Sequence, residues 1–132
     1  KMYFSDAGLA CHLAGVVEPG GHLMGAFKGS AFETYVAQNL LGLIDAAWPG
    51  ARLYFWNVQG RHEVDFVIEA GSSCIAIEAK SGTRWTDRDL SGLRAFLAAT
   101  PHCKAAVLAH NGTDAVSLGK KLWALPLATA IS

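Results

Sequence analysis

From Ser30 onward, apolar residues recur at helical spacing (Phe32, Tyr35, Val36, Leu40, Leu43, Ile44), which predicts an amphipathic helix closed by Pro49-Gly50. The period then shortens. Residues 52–58 (RLYFWNV), 62–69 (HEVDFVIE) and 74–80 (CIAIEAK) are separated by QGR and AGSS and predict three strands in an antiparallel meander. Helical spacing returns after Thr86, where Leu90, Leu93, Phe96 and Leu97 share a face, the first turn is acidic, and Pro101 is the stop. Residues 104–110 (KAAVLAH) form a short continuous apolar run, the mark of a strand buried on both faces near the centre of a sheet. Residues 120–127 (KKLWALPL) predict a last strand, ended at an edge by Pro126. Upstream, Asp6 can cap a short helix over 7–14, and 16–29, with four glycines and Pro19, reads as a loop.

This order, helix, three strands, helix, strand, predicts an α/β fold with a mixed central sheet flanked by helices. A chain of 132 residues that is 52% apolar is sized for one domain, with residues 1–29 as an extension, 30–110 as the core and 111–132 as the closing strand. It opens on Lys1 in apolar sequence (KMYFSDAGLA), as expected of the C-terminal fragment of a longer protein. Basic and acidic residues balance at 11 each, so the chain lacks the overall charge of a nucleic-acid binder and any such surface must be local. No apolar run reaches the length of a membrane span, and no signal-peptide layout is present. Cys11, Cys74 and Cys103 form no CxxC pair; they read as core residues of a cytoplasmic protein.

Four charged residues interrupt the apolar hairpin: Glu63, Asp65, Glu78 and Lys80. If Gly71-Ser72 is a two-residue turn, Asp65 faces Glu78 and Glu63 faces Lys80. Alternation places all four on one face with Val67 and Ala76, and puts Val64, Phe66, Ile68, Ile75, Ile77 and Ala79 on the other. Two opposed carboxylates repel unless a cation lies between them or one holds a proton. Mg²⁺, or Mn²⁺, resolves the conflict, because it takes hard oxygen ligands and needs only one or two protein carboxylates. Lys80 beside such a cation would orient a water or offset charge on a phosphate. The alternative is a surface ion pair between Glu63 and Lys80, with Asp65 and Glu78 exposed beside it.

The spacing of Asp65 to Glu78-Ala79-Lys80, with a helix before the strands and a helix and strand after them, resembles the PD-(D/E)XK nuclease superfamily. The resemblance implies a restriction-endonuclease-like core (α-β-β-β-α-β) and phosphodiester hydrolysis of DNA or another nucleic acid. It also implies that Asp65, Glu78 and the Ala79 carbonyl bind the catalytic metal, that Lys80 assists the water, and that Glu33 on the first helix contributes. EVDFVIE and AIEAKS also look like the corresponding stretch of archaeal Holliday-junction resolvases. Val64 stands where the signature has proline. A likeness over nearly the whole chain (KMYFSDAGLACHLAG, GSAFETYVAQNLL, LYFWNVQGRHEVDFVIE, AIEAKSG, LPL) is to the C-terminal domain of unknown function that follows an AAA-type ATPase module in many bacterial and archaeal proteins. It implies an ATPase partner in cis, since this chain has no GxxxxGK[ST] phosphate loop.

Glu33 has a competing role, because Ser30-x-x-Glu33 at a helix start is a capping box. The five histidines form no HxH or HxxxH pair, which argues against zinc; alternation turns His62 away from Asp65 unless a bulge intervenes. Arg61 and Arg84 are candidates for a basic rim, with Arg88 beside them. Two functions remain open: a Mg²⁺-dependent nuclease attached to an ATPase, or a catalytically silent nuclease-fold module that binds DNA, binds protein or regulates that ATPase.

Overall fold

A computed structural model describes residues 25–131. Helix α1 (Gly25–Ala47) buries Val36, Ala37, Leu40 and Ile44, positions that the helical period brings to one side. The helix begins before its apolar period does, so 25–29, expected as loop, is helical. Glycine in a helix costs only about 1 kcal/mol against alanine, whereas proline costs about 3; Gly25 and Gly29 weaken the first turns without ending them. Ser30 is therefore an interior residue whose carbonyl accepts the Thr34 hydroxyl at 3.0 Å, which corrects the capping-box role of Ser30 and Glu33. The helix and loop expected in residues 1–24 lie outside the described residues.

Strands β1 (Arg52–Val58), β2 (His62–Ala70) and β3 (Ser73–Lys80) form the expected meander. Gln59 and Gly60 both have positive φ (46° and 74°), and the Arg61 amide donates to the Val58 carbonyl at 2.9 Å, a primed turn that suits strand twist. Gly71 (φ 61°) and Ser72 make the second turn, with Ala70 paired to Ser73, and the predicted register runs from there to Phe66 opposite Ile77.

After a 3₁₀ turn (Asp87–Leu90) come α2 (Ser91–Ala99), β4 (Cys103–His110), β5 (Val116–Ser117), β6 (Leu122–Pro126) and α3 (Leu127–Ala130). The six-stranded sheet has the order β1-β2-β3-β4-β6-β5. β4 lies parallel to β3 and β6, and the remaining pairs are antiparallel. The fold is mixed α/β with helices on both faces of the sheet. β6 is not the edge strand that Pro126 suggested, because β5 pairs outside it. β5 pairs only with Trp123 and Ala124, so at Pro126 that side of β6 is a free edge, where proline is tolerated, and two-residue β5 is too short for an alternation pattern to reveal.

Each face of the sheet carries its own core. On one, Val67, Ala76 and Leu108 meet Leu90, Leu93 and Phe96 from the α2 region, with Trp56 edge-on to Phe96 at 5.2 Å. On the other, the α1 stripe meets Phe66, Ile68, Ile77 and Ala109. Cys74 and Cys103, register partners across β3 and β4, are buried as expected. Burial, and then the neighbouring Cys103 thiol, push the Cys74 thiol up to about 11, well away from the range of a reactive thiolate.

Alternation fails in two of the strand pairs: between β3 and β4, where Cys74 pairs with Cys103 but Ile75 with Ala105, and, nearer the acidic residues, between β1 and β2. Tyr54 pairs with Val67 but Trp56 pairs with Val64, so Phe55 alone stands opposite Asp65 and Phe66, a β-bulge in β2. The extra residue returns Val64 to the face of Val67, in the core with α2, and not to the face of Phe66 as alternation required. The same slip removes the basis for setting Glu63 opposite Lys80. Glu63 is exposed, and Lys80 pairs elsewhere.

Candidate metal centre

Beyond the Phe66–Ile77 pair, side chains continue the joining of β2 to β3. Asp65 Oδ2 accepts the Ala79 amide at 3.0 Å, and Glu78 Oε2 accepts the Asp65 amide at 3.3 Å. Each carboxylate is thus held by the strand that carries the other. Asp65 is only 2% exposed, and a carboxylate buried to that degree must be hydrogen-bonded or matched by positive charge. Regular β2–β3 pairing stops at Phe66 opposite Ile77, next to the bulge against β1, and from there the two carboxylates take up the backbone amides of the facing strand.

Ile77 and Ala79 belong to the α1 core, so alternation along β3 sends Glu78 and Lys80 to the α2 face. There Lys80 Nζ contacts Asp89 Oδ1 at 2.5 Å. The other oxygen of Asp89 accepts the Thr86 amide at 2.7 Å and the Thr86 hydroxyl at 3.1 Å, the carboxylate half of a capping box. Burial raises the Asp89 pKa, but the Lys80 hydrogen bond, the Thr86 amide and the Lys80 charge together outweigh it and hold the carboxyl below its ordinary value.

The structure thus brings Asp65, Glu78, Ala79 and Lys80 to one end of the sheet. Glu33 is half-buried on α1, in line with Ala37, Leu40 and Ile44 on the opposite face. Arg61, in the β1–β2 turn, and Arg84, after β3, are exposed. Among the described residues no three of His, Cys, Asp and Glu gather into a group able to hold a metal. The unit to weigh is therefore the two-carboxylate pair with peptide oxygen. Its all-oxygen donor set fits Mg²⁺ or Mn²⁺, which need few protein ligands.

Sequence reasoning missed two neighbours. In the sequence Asp89 shows only as acidity at a helix start, although Thr86-x-x-Asp89 has capping-box spacing. His110, the register partner of Lys80, is 1% exposed. Its Nδ1 accepts the Gly112 amide at 3.0 Å, so its Nε2 carries the hydrogen that meets the Asp114 carbonyl at 2.9 Å. A polar residue closing an otherwise apolar strand was the available clue. His62 lies in regular register with β1, two residues before Val64, and its Nδ1 is buried without a hydrogen-bond partner among the described residues.

Comparison with known proteins adds a family. "Domain of unknown function (DUF4143)" matches residues 28–130. The chain belongs to the DUF4143 family. No curated protein matches it in sequence. One solved structure resembles it, a chain from the tetradecameric assembly of Thermococcus gammatolerans McrB AAA+ hexamers with bound McrC, at 15% identity and a TM-score of 0.49. That match covers 74% of this chain but only 27% of the other.

Proposed function

We propose that this DUF4143 chain is a nuclease-type domain that hydrolyses nucleic-acid phosphodiesters with Mg²⁺ or Mn²⁺ and is attached to an AAA-type ATPase. The observation that carries this reading is the reciprocal pair of hydrogen bonds by which Asp65 and Glu78 each hold a backbone amide of the other's strand, with Lys80 two residues beyond Glu78. A restriction-endonuclease-like core is part of the same proposal. It draws support from the α-β-β-β-α-β order within the chain and from the antiparallel β1–β3 meander joined through α2 to a parallel β4. The ATPase partner rests on the sequence likeness to domains that follow such modules.

When bound, the metal would supply Lewis acidity toward a phosphoryl oxygen and a water of lowered pKa. Asp65 and Glu78 would hold it, with the Ala79 carbonyl as a third oxygen. Lys80 would face the phosphate with positive charge, and Arg61 and Arg84 would meet the flanking backbone. With wild type and Mg²⁺, cleavage of branched or linear DNA is expected, falling by at least about a hundredfold in Glu78→Gln and Lys80→Met. Equal rates in all three proteins would overturn the assignment.

One observation favours a second reading. Asp65, Glu78 and Lys80 are each engaged with protein groups, so the same contacts can act as a lock on the strand ends of a silent binding or regulatory module. Absence of cleavage by wild type, together with loss of stability in both variants, would select it.

A further inference from the structure

Among the described residues Lys80 is held by Asp89, and both oxygens of Asp89 are engaged in turn. Oδ1 takes the Lys80 ammonium while Oδ2 takes both the amide and the hydroxyl of Thr86. The next residue, Leu90, is fully buried in the core, as is Leu93 one turn later. Between them Gly92 lies so close to β2 that a Cβ there would stand 2.0 Å from the Glu63 carbonyl oxygen. The acidic turn is therefore pinned to β2 by Gly92, to the core by two leucines and to β3 by the ion pair. A solvated surface pair has none of these supports, and it holds no single geometry.

Lys80 has four rotatable side-chain bonds, and an unrestrained ammonium would spread over many rotamers. Fixed supports of this kind are what keep a reacting group within reach of its target. We propose that Asp89 is a positioning residue of the proposed metal centre, fixing the Lys80 side chain on the face of β3 that also carries Glu78. The inference rests on the nuclease reading above. It assigns Asp89 and Thr86 to a site that the Asp-Glu-x-Lys pattern alone does not include.

The test compares Asp89→Gln with Asp89→Glu in the full chain. Both side chains can still cap Thr86, so both should fold, but only glutamate keeps the charge. Two quantities are read: the ¹⁵Nζ resonance of Lys80, assigned by its loss in Lys80→Met, and the rate of cleavage of a labelled branched DNA in Mn²⁺. Wild type is expected to show a slowly exchanging Lys80 signal that collapses in Asp89→Gln and returns in Asp89→Glu. Over the same set kcat should fall by about a hundredfold and recover in part, with KM changed little.

A wild-type rate in Asp89→Gln, while Lys80→Met is inactive, would overturn the positioning role and leave the nuclease reading standing. A wild type that neither cuts nor depends on Mn²⁺ would remove both. An unchanged Lys80 resonance in Asp89→Gln would overturn the proposal whatever the rates.

Discussion

Asp89 offers the clearest titration at the scale of single residues. Its carboxyl is held below 3.8 in the folded protein by Lys80 and Thr86 against the opposing effect of burial. A carboxyl with a depressed folded pKa contributes stability that is complete above the unfolded value and is lost as pH falls through the folded one. Lys80 and Asp89 are 35% and 24% exposed, so solvent screens the pair and its worth is about 1 kcal/mol or less. Asp89→Gln is accordingly expected to be less stable than wild type by that amount at neutral pH. Urea denaturation should show the gap closing as the pH is taken below 3.8. A gap that persists in acid would mean that the loss came from packing or capping. The same residue marks a limit of sequence reading: its partner Lys80 lies on another element, and the spacing to Thr86 reported only the local half of its contacts.

At the scale of elements, the junction of α2 with β2 depends on one missing side chain. Gly92→Ala would drive a methyl group into the Glu63 carbonyl, 2.0 Å away, and backbone cannot yield as a flexible side chain would. A loss of about 3 kcal/mol is expected in thermal or chemical unfolding, at the upper end of overpacking costs. Gly29→Ala gives the contrasting case: nothing lies within 4 Å of its Cβ position and the residue is helical, so the change should stabilise by up to about 1 kcal/mol. Similar effects of the two substitutions would show that backbone entropy, not the close approach, governs Gly92. The strands were legible because Val, Ile and Phe cluster between turn residues at Gln59-Gly60 and Gly71-Ser72. The bulge was not, because it arises from how β1 pairs with β2, and neither strand alone encodes that offset. Its effect fell on the site, moving Val64 and Glu63 away from their expected places while leaving Asp65 beside Glu78.

Over the whole molecule, the sheet keeps two separate cores, and its acidic pair joins β2 to β3 where their regular pairing stops. Net charge is zero, so affinity for a phosphate backbone would have to come from the local cations Lys80, Arg61 and Arg84 and from a bound metal. The antiparallel hairpin, the α2 crossover and the central β4 could be read from period and turn chemistry alone. The site was legible as far as Asp65, Glu78 and Lys80, since charged residues on apolar strands are costly and call for a reason. The supporting contacts of Asp89 and His110 were not, since they depend on tertiary neighbours. Calorimetric titration of Mn²⁺ into wild type and Asp65→Asn tests the central claim most directly. The account predicts a single saturable site in wild type that is lost in a folded Asp65→Asn protein; equal binding by the two, or none by wild type, would contradict it.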